Sequence, residues 1–357
     1  MTAINYARAA CDTIMKTYDA PALPPEGRFH YQQGVFLSGM EQVYLATGEE
    51  KYYTYIKDWV DSIVISDATI RFHFRDKLDD LQPARLLFLL YDKTGAAHYR
   101  TVLDHFADYL RRWDFTAEGG FWHMHNKPHQ MWLDGLYMAG SLLMPYAARF
   151  GQPDLFDLMD RQVDLMFRYL RDERTGLLYH ACDFSRQMNW SDPVTGLSPE
   201  FWGRAIGWVG FSLVDMLDFL PQKDSRREKW VSYLTGLLKA VAVYQHPVNG
   251  LWYQVVDKGN ICGNWTETSC SALFTYAIAK AVRKGYLEMS YKACADRGYQ
   301  GVIQTLEMRD SELYLPCICT GTGVGDYQHY INRPKEINDM HGMGAFVLMC
   351  CEYQRLL

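Results

Sequence analysis

Apolar stretches that are hydrophobic almost all round alternate along this chain with amphipathic ones. The apolar stretches open on six polar–aromatic segments: Tyr31-Gln32-Gln33-Gly34, Leu78-Asp79-Asp80-Leu81, Met131-Trp132-Leu133-Asp134-Gly135, Phe201-Trp202-Gly203-Arg204, Gly263-Asn264-Trp265-Thr266-Glu267 and Asn338-Asp339-Met340-His341-Gly342. A helix apolar on every side is a helix buried on every side. The amphipathic stretches cover 4–18, 49–64, 96–113, 153–171, 225–244 and 289–306, and their single apolar face suits an outer layer. Thr47-Gly48, Thr94-Gly95 and Phe150-Gly151 mark the passage from inner to outer helix, with glycine supplying the left-handed residue that ends a helix well. Tyr52, Tyr99 and Phe156 then anchor the outer helices as they start.

A second repeat follows three of the outer helices. Gly119-Gly120-Phe121-Trp122-His123, Gly176-Leu177-Leu178-Tyr179-His180 and Gly250-Leu251-Trp252-Tyr253-Gln254 align without gaps and read as short extended segments. Helical hairpins recurring at roughly 50 to 70 residues are too long and uneven for tetratricopeptide or armadillo arrays. They predict an all-α fold, an (α/α)6 barrel or six-hairpin toroid, as one domain over 1–357. In such a ring all inner helices run the same way. Their six openings then gather at one mouth and form one site.

Composition narrows the function classes. The chain has 357 residues, 48% of them hydrophobic and 22% charged, with net charge -6. That balance, without a Lys/Arg stripe, argues against nucleic acid. No run approaches the ~18 apolar residues of a membrane span, and Met1 to Lys16 lacks the basic start and apolar core of a secretory signal. The nine cysteines are odd in number and irregularly spaced, which suits reduced thiols. A cytoplasmic protein with no membrane partner is expected.

Asp134 is the sharpest candidate for chemistry, because every neighbour from Met131 to Met138 is apolar, aromatic or glycine. It is either a helix cap or a desolvated acid whose pKa burial raises. Met131, Trp132 and Leu133 read as helix already, which favours the acid. Of Asp79 and Asp80, one can cap the second inner helix while Asp79 faces Asp134. Two carboxyls sharing a site leave one protonated and one ionised; an ionised Asp79 would keep the proton on Asp134. That division of roles is the one sugar hydrolysis uses. Trp132 and Trp208 are either core or flat platforms for a sugar face. Arg204, alone among apolar residues, must pair with a structural carboxylate or an anionic substrate. Six converging helix N-termini also favour an anion.

The cluster His123-Met124-His125-Asn126-Lys127-Pro128-His129 lacks the carboxylate or thiolate company of common metal sites, and Lys127 adds a repelling charge. No metal is expected; His123 alone reaches the site from a solvated loop, with His180 in the equivalent place of the second repeat. Gly321-Thr322-Gly323-Val324-Gly325-Asp326 lacks the strand, loop and Lys-Ser/Thr context of a phosphate loop. It reads as a flexible lip that brings Tyr327 and Tyr330 near the sugar.

The segments 131–138, Phe201-Trp202-Gly203-Arg204-Ala205-Ile206-Gly207-Trp208 and 321–327, with Leu78-Asp79-Asp80, His123 and His180, resemble glycoside hydrolase family 105 over essentially the whole chain. These are unsaturated rhamnogalacturonyl hydrolases, relatives of the family 88 unsaturated glucuronyl hydrolases. Ala205-Ile206 departs from the Gly-Asn that many members carry. The resemblance implies a 4,5-unsaturated galacturonyl substrate at the non-reducing end of a lyase-cut pectin fragment. It further implies Asp134 as general acid and base, Asp79 as its assistant, and Tyr31, His123, Trp132, His180, Arg204 and Trp208 around the sugar. It implies no metal or organic cofactor. Two other readings stay open: a sugar 2-epimerase on the same barrel, resting on histidine chemistry, and a non-catalytic helical scaffold that binds another protein.

Overall fold

Gly48, Gly95 and Gly151 each adopt a left-handed φ (71°, 67° and 64°) and stop an inner helix where the sequence punctuates it. In the computed structural model, which describes residues 1–71 and 76–357, the inner helices are α2 (Tyr31–Thr47), α4 (Leu86–Thr94), α6 (Gly135–Phe150), α8 (Gly203–Met216), α10 (Thr268–Arg283) and α13 (Met340–Leu356). The outer ones are α1 (Ala3–Thr17), α3 (Glu50–Ile63), α5 (Ala97–Arg111), α7 (Pro153–Tyr169), α9 (Arg226–Val243) and α11 (Lys292–Thr305). A short α12 (Tyr327–Ile331) precedes the last inner helix. Consecutive inner helices pack side by side, with the turn before α4 joining α2 to α6, and α13 returns to α2. The ring is therefore closed: an (α/α)6 barrel, as the periodicity predicts.

The inner helices bury almost every side chain, whereas α3, α5 and α7 bury one face. All nine cysteines are free. Among the described residues no helix is long and apolar enough to cross a membrane.

Two local expectations fail, each for a backbone reason. Leu78-Asp79-Asp80 does not open an α-helix. It forms a short 3-10 turn, followed by another at Gln82–Arg85, before α4 begins. Pro83 lacks the N–H that a helix would need there and restricts the residue before it. Met131, Trp132 and Leu133 are not helical either. Strand β1 (Gln130–Trp132) pairs antiparallel with β2 (Ala181–Asp183), with Trp132 opposite Ala181. Asp134 thus sits at the N-cap position of α6, yet its side chain makes no capping hydrogen bond. Its carboxylate is left for the mouth.

Candidate active site

The extended repeat builds the mouth by one rule applied three times. The backbone carbonyl of His123 accepts from Leu78 N–H at 3.2 Å, that of His180 from Leu133 at 3.0 Å, and that of Gln254 from Gly203 at 2.9 Å. The next residues along the chain are Asp79, Asp134 and Arg204. Each repeat therefore delivers one charged side chain beside one polar ring or amide. Gly119, Gly176 and Gly250, all at positive φ, turn the chain into these segments.

Asp79, Asp134, Tyr31, His123, Trp132 and Arg204 all line one cleft of about 240 Å³. His30, Gln32, Lys77, Met124, Lys127, Met138, Trp202 and the lip residues Gly321 to Gly323 complete its wall. Sequence reasoning missed the two lysines. Lys77 lies just before the Asp79 turn, and Lys127 was read as solvated.

His180 is fully buried behind the wall. Its Nε2 is 3.1 Å from Asp134 Oδ2, and its Nδ1 is 2.7 Å from the Tyr330 hydroxyl. Tyr330 in turn accepts from Gly325 N–H at 3.2 Å. This network assigns the tautomer: Tyr330 O–H donates to Nδ1, and Nε2–H donates to Asp134. Burial holds His180 below its ordinary pKa, so the ring is a neutral donor. His123 is pushed down to about 3 by burial and stacks on Trp132 at 4.4 Å.

Burial alone would raise both carboxyls. At Asp134 the hydrogen bond from His180, with the charge of Arg204, outweighs burial and holds the group below its ordinary value. Asp79 has no such bond: His123 stands 3.4 Å away and His30 3.9 Å. Burial and the Asp134 charge push Asp79 up to about 7, against the opposing charges of Lys77, Arg28 and Lys127. The shared proton thus rests on Asp79, the reverse of the sequence expectation. One directed hydrogen bond decides it. Asp80 is turned away and buried, 3.6 Å from Arg28.

Arg204 meets the lip rather than open space. Its guanidinium donates to the carbonyls of Cys319 at 2.6 Å and Thr320 at 2.7 Å, with Glu267 at 4.0 Å. Arg333 holds Thr322 and Thr320 from the other side, so the lip is tied at both edges. Tyr330 is buried, and Tyr327 points its hydroxyl to the carbonyls of Ile261 and Cys262. Neither lines the cleft.

Trp208 also lies beneath the wall. It is 1% exposed and stacks flat on Tyr137 at 4.6 Å, with Tyr31 edge-on at 6.4 Å. Trp208→Ala should therefore destabilise the fold by about 3–5 kcal/mol. Urea unfolding measures this, and an unchanged midpoint would show that Trp208 carries no packing load.

A roomier cavity of about 450 Å³ lies at the other end of the barrel. It is lined by the C-terminal halves of inner helices, and its charges are already paired: Arg85 with Glu41 at 2.8 Å, Lys280 with Asp215 at 2.6 Å. Cations complement helix C-termini there.

A closed helical barrel with two unequal carboxylates at the mouth of its inner helices has the equipment of a glycoside hydrolase. The chain belongs to glycosyl hydrolase family 88, whose model matches residues 6–357. A family 105 glycoside hydrolase from C. acetobutylicum superposes with a TM-score of 0.93 at 34% identity, covering 98% of this chain and 99% of that one. A possible family 105 member from Klebsiella pneumoniae gives 0.81 at 25% identity, over 92% of this chain and 82% of that one. The unsaturated rhamnogalacturonyl hydrolase YesR of Bacillus subtilis is 27% identical over 271 residues, 74% of each chain.

Proposed function

We propose that this hydrolase releases a 4,5-unsaturated galacturonyl residue from the non-reducing end of lyase-cut rhamnogalacturonan fragments. The observation that carries the reading is the Asp79–Asp134 pair, two nearly buried carboxyls whose proton affinities are pulled apart. The name of YesR supports the sugar class. The free thiols fit a reducing, cytoplasmic place of work.

The substrate is an enol ether, and its hydration needs one proton at C4 and a hydroxyl at C5. The pair holds one proton near neutral pH. A uronate entering the cleft adds negative charge, which raises proton affinity across the pair, and the reactive form is the one with that proton on Asp134. Asp134 delivers the proton to C4, and the carboxylate left behind takes one from the water that adds at C5. The hemiketal formed at C5 opens to a ketone. The hemiacetal left at C1 then expels the next sugar and becomes an aldehyde. His180, fixed by Tyr330, aims Asp134; Asp79, ionised once the proton is on Asp134, accepts hydrogen bonds from the ring hydroxyls. An epimerase would need a histidine free to move protons, whereas His180 has both nitrogens engaged.

The test is loss of enol-ether absorbance with a panel of lyase-generated oligosaccharides. Because kcat/KM reports the free enzyme, it should fall on the alkaline side with a midpoint near the Asp79 value of about 7. Above that pH the pair has lost its proton. A profile flat from pH 6 to about 9 would remove the shared proton from the mechanism.

A further inference from the structure

The 123–129 loop carries a cation into the cleft that the reaction above leaves unused. Lys77 and Met124 form an antiparallel bridge, and Lys127 N–H closes a turn onto the Met124 carbonyl at 3.0 Å. The turn folds the Lys127 amine back over the Trp132 ring, 4.4 Å from its centroid. Lys77 stands on the same wall. Elsewhere Lys51, Lys229, Lys239 and Lys292 hold carboxylates. Among the described residues, neither Lys77 nor Lys127 is in an ion pair.

Two ammonium groups sharing a partly buried wall repel each other. Burial and the charge of Lys77 hold Lys127 below the ordinary lysine value, with Asp79 opposing them among the described residues. An anion between them would relieve this and gain charge-assisted hydrogen bonds. Arg204, the other cation on the wall, already spends two donors on lip carbonyls.

We propose that Lys127, together with Lys77, binds the carboxylate of the unsaturated uronate, while Arg204 positions the Gly321–Gly323 lip. The assignment rests on the uronide reading above. The carboxylate is borne on C5, next to the carbon that receives the proton. A ring whose C4 and C5 lie between Asp134 and Asp79 therefore presents it to the charges acting on Asp79, and Lys77 and Lys127 are two of these. An anionic group on the neighbouring sugar, a sulfate for instance, has the same chemistry.

The experiment compares the wild type with Lys127→Met, Lys127→Arg and Arg204→Lys. Three unsaturated disaccharides serve as substrates: the free acid, its methyl ester, and the free acid with a sulfated second sugar. For Lys127→Met, KM on both free acids should rise roughly 10- to 100-fold more than on the ester. Arginine should recover most of that difference. Lys127 opposes proton binding at Asp79, so the alkaline midpoint of kcat/KM should also move up in Lys127→Met. That shift reports the charge of Lys127 beside Asp79 in the free enzyme, whereas the difference between acid and ester reports carboxylate binding. Arg204→Lys should harm acid and ester alike.

Equal losses on acid and ester in Lys127→Met would overturn the assignment and leave the lysine as cover for Trp132. A loss confined to the sulfated substrate would place the anion on the neighbouring sugar and overturn the carboxylate assignment. A wild type inactive on all three would instead overturn the uronide reading, and this assignment with it.

Discussion

Asp134→Asn should fold, bind the unsaturated disaccharide and lose turnover by roughly 100- to 10,000-fold, the range a positioned acid–base group supplies. An enol-ether carbon is a weak base, so protonation at C4 needs a donor held in place. Asparagine keeps the size of the side chain and can still accept the His180 hydrogen bond, 3.1 Å in the native protein. It cannot give or recover a proton. Turnover is measured by enol-ether absorbance and binding by calorimetry, with circular dichroism as the check on folding. Near-native turnover in a folded variant would make Asp134 a helix-start residue and no more.

Asp79→Asn should lower turnover by at least roughly 100-fold and, at the same time, stabilise the protein above neutral pH. Its folded pKa is about 7 against an ordinary value of 3.8. Below pH 4 the group is protonated in both folded and unfolded chains, and the difference between them is nil. Between those values the unfolded chain releases the proton while the folded one keeps it, so stability falls as pH rises. Above about 7 the buried carboxylate is charged and its penalty is complete. The upper bound is roughly 4 kcal/mol, three pH units at 1.36 kcal/mol each. Asparagine removes the penalty, so Tm should exceed that of the native protein by several degrees at pH 8 and match it near pH 4. A Tm difference that ignores pH would show that Asp79 is not held protonated.

How much of this was legible in the sequence depends on the range of the forces concerned. Local rules were reliable. Gly48, Gly95 and Gly151 end their helices as glycine does, and five of the outer helices start within one residue of the apolar periodicity. The sixth, α11, begins at Lys292 because 289–291 forms a 3-10 turn. Failures came where a neighbour in sequence gave way to a neighbour in space. Met131 to Leu133 have helix-compatible residues, but pairing with 181–183 holds them as a strand. At Leu78–Asp80 the break does have a local signal, Pro83, in the sequence itself.

The site divides in the same way. The sequence by itself determined the ring of hairpins, the gathering of six helix starts at one mouth, and the candidacy of Asp79, Asp134, Tyr31, His123, Trp132 and Arg204, all of which line the cleft. Periodicity and burial are additive along a chain, so a linear reading recovers them. Only the tertiary structure decided which carboxyl keeps the proton, that Arg204 is spent on lip carbonyls, that Trp208 and Tyr330 support the wall from behind, and that Lys127 folds into the cleft. Each of these depends on hydrogen bonds and charges between residues far apart in sequence, and such interactions change within an ångström. No one-dimensional pattern carries that distance.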